Sequence, residues 1–312
     1  LDIRPSSIKH RASSIWVVSA LAVLLLAVGC AAQRPKKDVR YQPAESLLEI
    51  VKGLQRYLRE DTYRLPARKD PSGVNIYKAT IARLDDYEKK HPGEYAGIIA
   101  HTRAMAYERL HEYGKAVASY RWAAELDPRL RPQAEERIEI LEAMRRLAEA
   151  PIPSGDPQEH LKALEERAKA WRELGQRYRG TVYESLAKEE EERMDQAKVA
   201  FLKRMRSILA KGDELVIGAF VELIAKHGES KHFDEYLLEF GDFYAELAKE
   251  YVAQQDPEGL SFDWREFKEL EEAALKLYAQ VAQRDGTLEK QEAKGKLEAL
   301  KAYSAKIQML GR

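Results

Sequence analysis

Strand signals are almost absent from this chain, and an amphipathic helical period recurs in their place from residue 45 to residue 309. Pro and Gly punctuate it. The pattern predicts an all-α fold of about eleven helices, over 45–59, 75–90, 94–110, 113–126, 132–148, 157–177, 182–209, 214–227, 232–254, 264–284 and 288–309. Composition agrees, because alanine, leucine, glutamate, lysine and arginine dominate and all are good helix formers. Two longer breaks stand out. One, 61–74, holds Pro66, Pro71 and Gly73. The other, 150–156, reads Ala-Pro-Ile-Pro-Ser-Gly-Asp and suggests a linker between an N-terminal helical region (45–149) and a C-terminal one (157–312).

Residues 97–130 carry a more specific pattern. A first helix bears Ala100, Ala104 and Tyr107. A second bears Tyr113, Ala116, Tyr120 and Ala123, and is followed by Leu126-Asp127-Pro128. Small residues at Ala104 and Ala116 let two antiparallel helices approach closely, Tyr107 and Tyr120 fill the groove beside them, and Pro128 stops the second helix. This 34-residue window resembles a tetratricopeptide repeat, with Arg103 and Ala100 as departures from its pattern. A second window is similar. Leu237, Phe240, Gly241 and Tyr244 have the spacing of the repeat's first helix, and Ala274, Tyr278, Val281 and Gly286 that of its second. Weaker echoes recur at Tyr87, Trp171 and Phe220, at irregular spacing. The resemblance implies a degenerate solenoid of antiparallel helix pairs, each stacking on its neighbour.

Between the halves of the second window lies an extension of about twenty residues, longer than a repeat turn requires. Asp263 and Glu266 have the spacing of a capping box. The extension also holds Leu260, Phe262 and Trp264. These either fold back as a local plug or present an anchor to a partner, and Phe262 and Trp264 are the candidate anchors.

The N-terminus has its own logic. Lys9 and Arg11 precede an uncharged run over 15–28, too short for a membrane span but suited to the apolar core of a signal peptide. Ala27-Val28-Gly29-Cys30 follows and resembles the lipobox of bacterial lipoproteins. The resemblance implies a signal peptide over 1–29, cleavage between Gly29 and Cys30, palmitate-type acylation of Cys30, and a tether over 30–44. Ala31 after the cysteine matches outer-membrane sorting. Cys30 is the only cysteine. Once lipidated it leaves neither a free thiol nor a disulfide.

Little else points to chemistry. Lys plus Arg (52) balance Asp plus Glu (52), so no basic excess points to nucleic acid. His91, His101, His111, His160, His227 and His232 form no metal-binding helical pair, and no metal or cofactor beyond the lipid is expected. No Gly-rich phosphate loop occurs. Glu45-Ser46, Glu184-Ser185 and Glu229-Ser230 lack the continuation found in lytic transglycosylases. The acidic run 189–192 reads as a solvated helix face, with Glu184–Lys188 and Glu189–Arg193 as i,i+4 pairs. The aromatics around Tyr236, Phe240 and Phe243 read as core. Taken together, these features resemble the envelope tetratricopeptide lipoproteins. That likeness implies a non-enzymatic scaffold facing the periplasm, anchored to the outer membrane, whose partner is an envelope protein or peptide. The rival expectations are an enzyme acting on peptidoglycan or polysaccharide, and a passive spacer between membrane and wall.

Overall fold

The computed structural model describes residues 43–66, 75–287 and 289–310. Among these there are eleven α-helices and no strand. They are α1 (Pro43–Glu60), α2 (Ile76–Lys90), α3 (Ala96–Arg109), α4 (Tyr113–Leu126), α5 (Arg131–Glu149), α6 (Pro157–Arg177), α7 (Val182–Met205), α8 (Gly212–Lys226), α9 (Phe233–Gln254), α10 (Trp264–Ala282) and α11 (Glu289–Leu310). Most ends fall within two residues of the expected bounds. The largest difference is at α7, which stops at Met205 because Lys211 turns through the left-handed region (φ 57°) before α8. Residues Gly53–Arg312 form one compact unit, which runs through the 150–156 break. Of the chain before Gly53, residues 43–52 are described and make the first turns of α1.

Within Gly53–Arg312 each helix packs chiefly on its chain neighbours, giving a repeat-like order. The apolar clusters follow one another in the same way. One gathers Leu54, Ala104, Ala116, Tyr120, Leu141, Trp171 and Leu186. A second joins the end of α7 to α8 and α9 through Val199, Phe220, Phe240 and Phe243. Leu237, Ala274, Tyr278 and Leu300 form a third, between α9, α10 and α11. Consecutive clusters share a helix, so no single core serves the whole unit.

The two repeat-like windows are tightly packed. Ala104, Ala116, Tyr120 and Ala123 are each 0% exposed, while Tyr107 is half-buried beneath the Lys115 ammonium. A Cβ on Gly97 would meet Asp127 Cβ at 2.8 Å, so only glycine allows the start of α3 to lie this close to the end of α4. Pro128 does more than stop the helix: it opens a 3-10 turn (Pro128–Leu130) that runs directly into α5. In the second window, a Cβ on Gly241 would meet Tyr278 Cε1 at 2.7 Å. Gly241 and Tyr278 are therefore knob and socket of the α9–α10 pair. Leu237, Phe240 and Ala274 are buried around them, and Tyr244 is half-buried.

The extension folds back on its own array. Phe262 is 7% exposed and packs with Trp264, Phe267, Tyr251 and Ile307. Neither candidate anchor stands free, because the aromatic rings fill the gap where α9, α10 and α11 meet. Only Leu260 points fully outward. Asp263 caps α10 as expected, accepting from Arg265 N at 2.8 Å. The reciprocal half of the box is replaced, because Asp263 N–H donates to Tyr251 Oη at 2.9 Å.

One buried titratable ring gives a first prediction. His101 lies edge-on to Tyr120, with ring centroids 5.1 Å apart. Burial, then the charge of Arg137, pushes its imidazole down from 6.5 to about 4. The ring is neutral in the fold, whereas the unfolded chain takes up a proton near 6.5. The stability tied to its neutrality is complete above that value and is lost as pH falls toward 4. His101→Phe keeps the contact with Tyr120 and removes the titration. Urea unfolding of this variant should depend less on pH across that window than in the wild type. Parallel curves would reject the assignment.

Candidate functional site

The acidic run sits in the middle of α7, and its burial departs from expectation. Successive helical residues are about 100° apart, so four of them surround the axis. Glu189, Glu190, Glu191 and Glu192 are 6%, 5%, 8% and 2% exposed. They are not a solvated face: all four are buried, while Lys188 and Arg193 on either side of the run are exposed. The expected Glu189–Arg193 pair is absent too, since Arg193 turns to Glu190 at 3.4 Å.

Each glutamate meets a different element. Glu189 lies between α3 and the α8–α9 turn. Its Oε1 accepts from Arg109 Nη2 at 3.2 Å and from Lys231 Nζ at 2.9 Å, and its Oε2 faces His111 Nε2 at 3.2 Å. Glu190 Oε1 is 2.8 Å from His111 Nδ1 and accepts from Tyr113 Oη at 2.8 Å. Glu191 pairs with Arg172 of α6 at 2.6 Å. Glu192 accepts from Tyr236 Oη of α9 at 2.7 Å.

Asp61 completes the centre. It accepts from Tyr77 Oη at 2.6 Å, Arg109 Nη2 at 2.8 Å and Lys231 Nζ at 3.0 Å. The segment that carries it is held at a distant point of the chain. Tyr63 Oη lies 2.6 Å from His227 Nδ1, Arg64 pairs with Glu229, and Lys231 N donates to Tyr63 O at 2.9 Å. His227, at the end of α8, is buried between Tyr63 and Asp195.

The electrostatics follow from this pairing. Burial alone would raise the Glu189 carboxyl. The hydrogen bond with His111 and the charges of Arg109 and Lys231 outweigh it and hold the group well below the usual carboxylate range. Asp61 is likewise lowered, burial being outweighed by Arg109, Tyr77 and Lys231, and Glu190 by its contacts with His111. Arg109 is pushed up despite its burial by Glu189 and Asp61. Its Nε and Nη1 have no hydrogen-bond partner among the described residues.

A cavity of about 700 Å³ opens beside this cluster, lined by Asp61, Arg109, His111, Glu192, Gln196, Lys231 and others. A second, of about 640 Å³, continues along α7 and is lined by Gln196, Lys203, Arg204, Tyr236 and Glu239. Gln196 and Glu235 line both, so the two adjoin as a groove along α7 and the start of α9, with the first also reaching α2 and the end of α3.

Of the residues singled out from sequence, the repeat residues form the packing that holds α3, α4, α9 and α10, and none lines this groove apart from their neighbours in the same helices. Gly29 and Cys30 lie outside the described residues. Arg109, Lys231, Tyr77, Tyr113 and Asp61 were not legible as site residues, because they come from five segments with no common spacing. The acidic run was the available signal, since a four-residue run cannot occupy one helical face. Among the described residues no group of His, Cys, Asp and Glu is arranged to hold a metal ion, and no helix is long and apolar enough to cross a membrane. The chain matches no family model, no curated protein and no solved structure.

Proposed function

We propose that this chain is a lipid-anchored scaffold of the tetratricopeptide type, which holds an extended segment of a partner protein along the α7–α9 groove at the periplasmic side of the outer membrane. The observation that carries this reading is the groove itself: two adjoining cavities of about 700 and 640 Å³, lined by charges of both signs. Such a surface suits a polypeptide with its own charged side chains, and the two cavities together exceed the roughly 300–1,000 Å³ of a small-molecule site. The ionic cluster beneath gives the groove a rigid floor. The paired carboxylates of the cluster give no support to acid–base catalysis. Such catalysis needs a group that changes protonation near the working pH, whereas Asp61, Glu189 and Glu190 are all held low as carboxylates.

Anchoring and binding can be tested separately. Cys30→Ser should move the protein from the membrane fraction to the soluble periplasmic extract, and retention on membranes after a high-salt wash would exclude the lipid anchor. For the groove, a photocrosslinking amino acid at position 196 should give discrete protein adducts in intact cells. The same group at position 208, where Ile208 is 73% exposed and lines neither of these two cavities, should not give those adducts. Identical patterns from the two positions would remove the groove as the binding surface.

A further inference from the structure

The four buried glutamates are not equivalent. Glu189, Glu190 and Glu191 each have a Lys, Arg or His partner. Glu192, the most buried of them at 2% exposed, has no ion pair among the described residues. Its one hydrogen bond is from Tyr236 Oη to Oε1 at 2.7 Å. Among the described residues Oε2 has no hydrogen-bond partner, it is not one of the sealed, partnerless buried atoms, and Glu192 lines the larger of the two cavities. That oxygen therefore looks into the groove.

The surroundings fix the carboxylate without neutralising it. Gln196 Nε2 donates to Tyr236 Oη, so the phenol proton is directed to Glu192. His232, at the N-cap of α9, feels the charge of Glu192, but its Nδ1 is engaged by Glu235 at 2.9 Å and it makes no ion pair with Glu192. Lys231 is shared between Asp61 and Glu189, and Arg193 turns to Glu190. Buried charges in proteins are otherwise paired, because removing a carboxylate from water without a counter-ion costs several kcal/mol.

We infer that the Glu192 carboxylate is a recognition group for a cation supplied from outside the chain, the ammonium of a lysine side chain on the bound segment. This rests on the reading of the groove as a peptide site. An ammonium fits better than a guanidinium because only one oxygen is free. Guanidinium prefers two parallel hydrogen bonds to a carboxylate, whereas ammonium is a compact point charge that one oxygen satisfies. Gln196 lines the same cavity and can offer its amide oxygen as a second acceptor.

The test uses the full mature chain and two blocked pentapeptides, acetyl-Ala-Ala-Lys-Ala-Ala-amide and its Nε-acetyl-lysine counterpart. Calorimetric titration should show the charged peptide bound at least tenfold more tightly. Glu192→Gln, which keeps an acceptor for Tyr236, should abolish that preference. In the ligand-free protein the same substitution removes an uncompensated charge, so its melting temperature should hold or rise. Equal affinity for the two peptides, no binding of either at millimolar concentration, a tenfold preference surviving in Glu192→Gln, or a clear drop in its melting temperature would each overturn the assignment. If position 196 still gives its adducts while the lysine preference is missing, the groove stands and the ammonium assignment alone falls.

Discussion

Replacing Glu189 with alanine should destabilise the fold by about 3–5 kcal/mol, as expected when one partner of a buried ionic network is removed and the others stay behind. The substitution strands Arg109, Lys231 and His111 together, and the Arg109 side chain is only 2% exposed. Urea unfolding at neutral pH measures the loss, and a value below about 1 kcal/mol would mean that water reaches the cluster and screens it. The same carboxylates set an acid limit. Asp61 and Glu189 are held below their ordinary values of 3.8 and 4.5. Their contribution is complete above those values and is lost as pH falls through the lower folded ones. Wild-type stability should therefore drop steeply in that acid range, and the Glu189→Ala profile should be shallower there.

The contrast between fold and site shows what a single sequence exposes. Helices were legible because their signal is local: a period of 3.6 residues, Asp263 at an N-cap and Pro128 as a helix stop. The close packing at Ala104 and Ala116 and the position of Gly241 could be read from small residues at repeat spacing, whereas the approach at Gly97 could not. The ionic cluster could not, since charge at a position does not say whether a neighbour from far along the chain will cover it. Asp61 and Lys231 look like ordinary polar loop residues until the fold brings them to one glutamate. The extension was half-legible. Its aromatics signalled packing, but not which helices they would close.

Trp171→Ala should be comparably damaging, at about 3–5 kcal/mol, the usual cost of emptying a fully buried aromatic site. The indole is 0% exposed and lies against Tyr113, with ring centroids 6.2 Å apart. Where the damage goes matters as much as its size. Trp171 belongs to the cluster that joins α1 to α7, whereas α9, α10 and α11 are packed by other clusters. Hydrogen exchange in the variant should show lost protection across α3 to α7, with α10 and α11 close to wild type. Uniform loss along the chain would show that the unit opens as one.

The tie between Tyr63 and His227 spans 164 residues, and that between Asp61 and Lys231 spans 170. A series of neighbouring helix pairs has low contact order and assembles quickly from local pieces. This tie is the opposite kind of contact, since most of the array must be in place before its ends meet. It therefore belongs after the rate-limiting barrier to folding and acts mainly by slowing escape from the native state. A protein exposed to proteases gains persistence from such a late-forming clasp, because its lifetime then depends on how rarely the two clasped segments part.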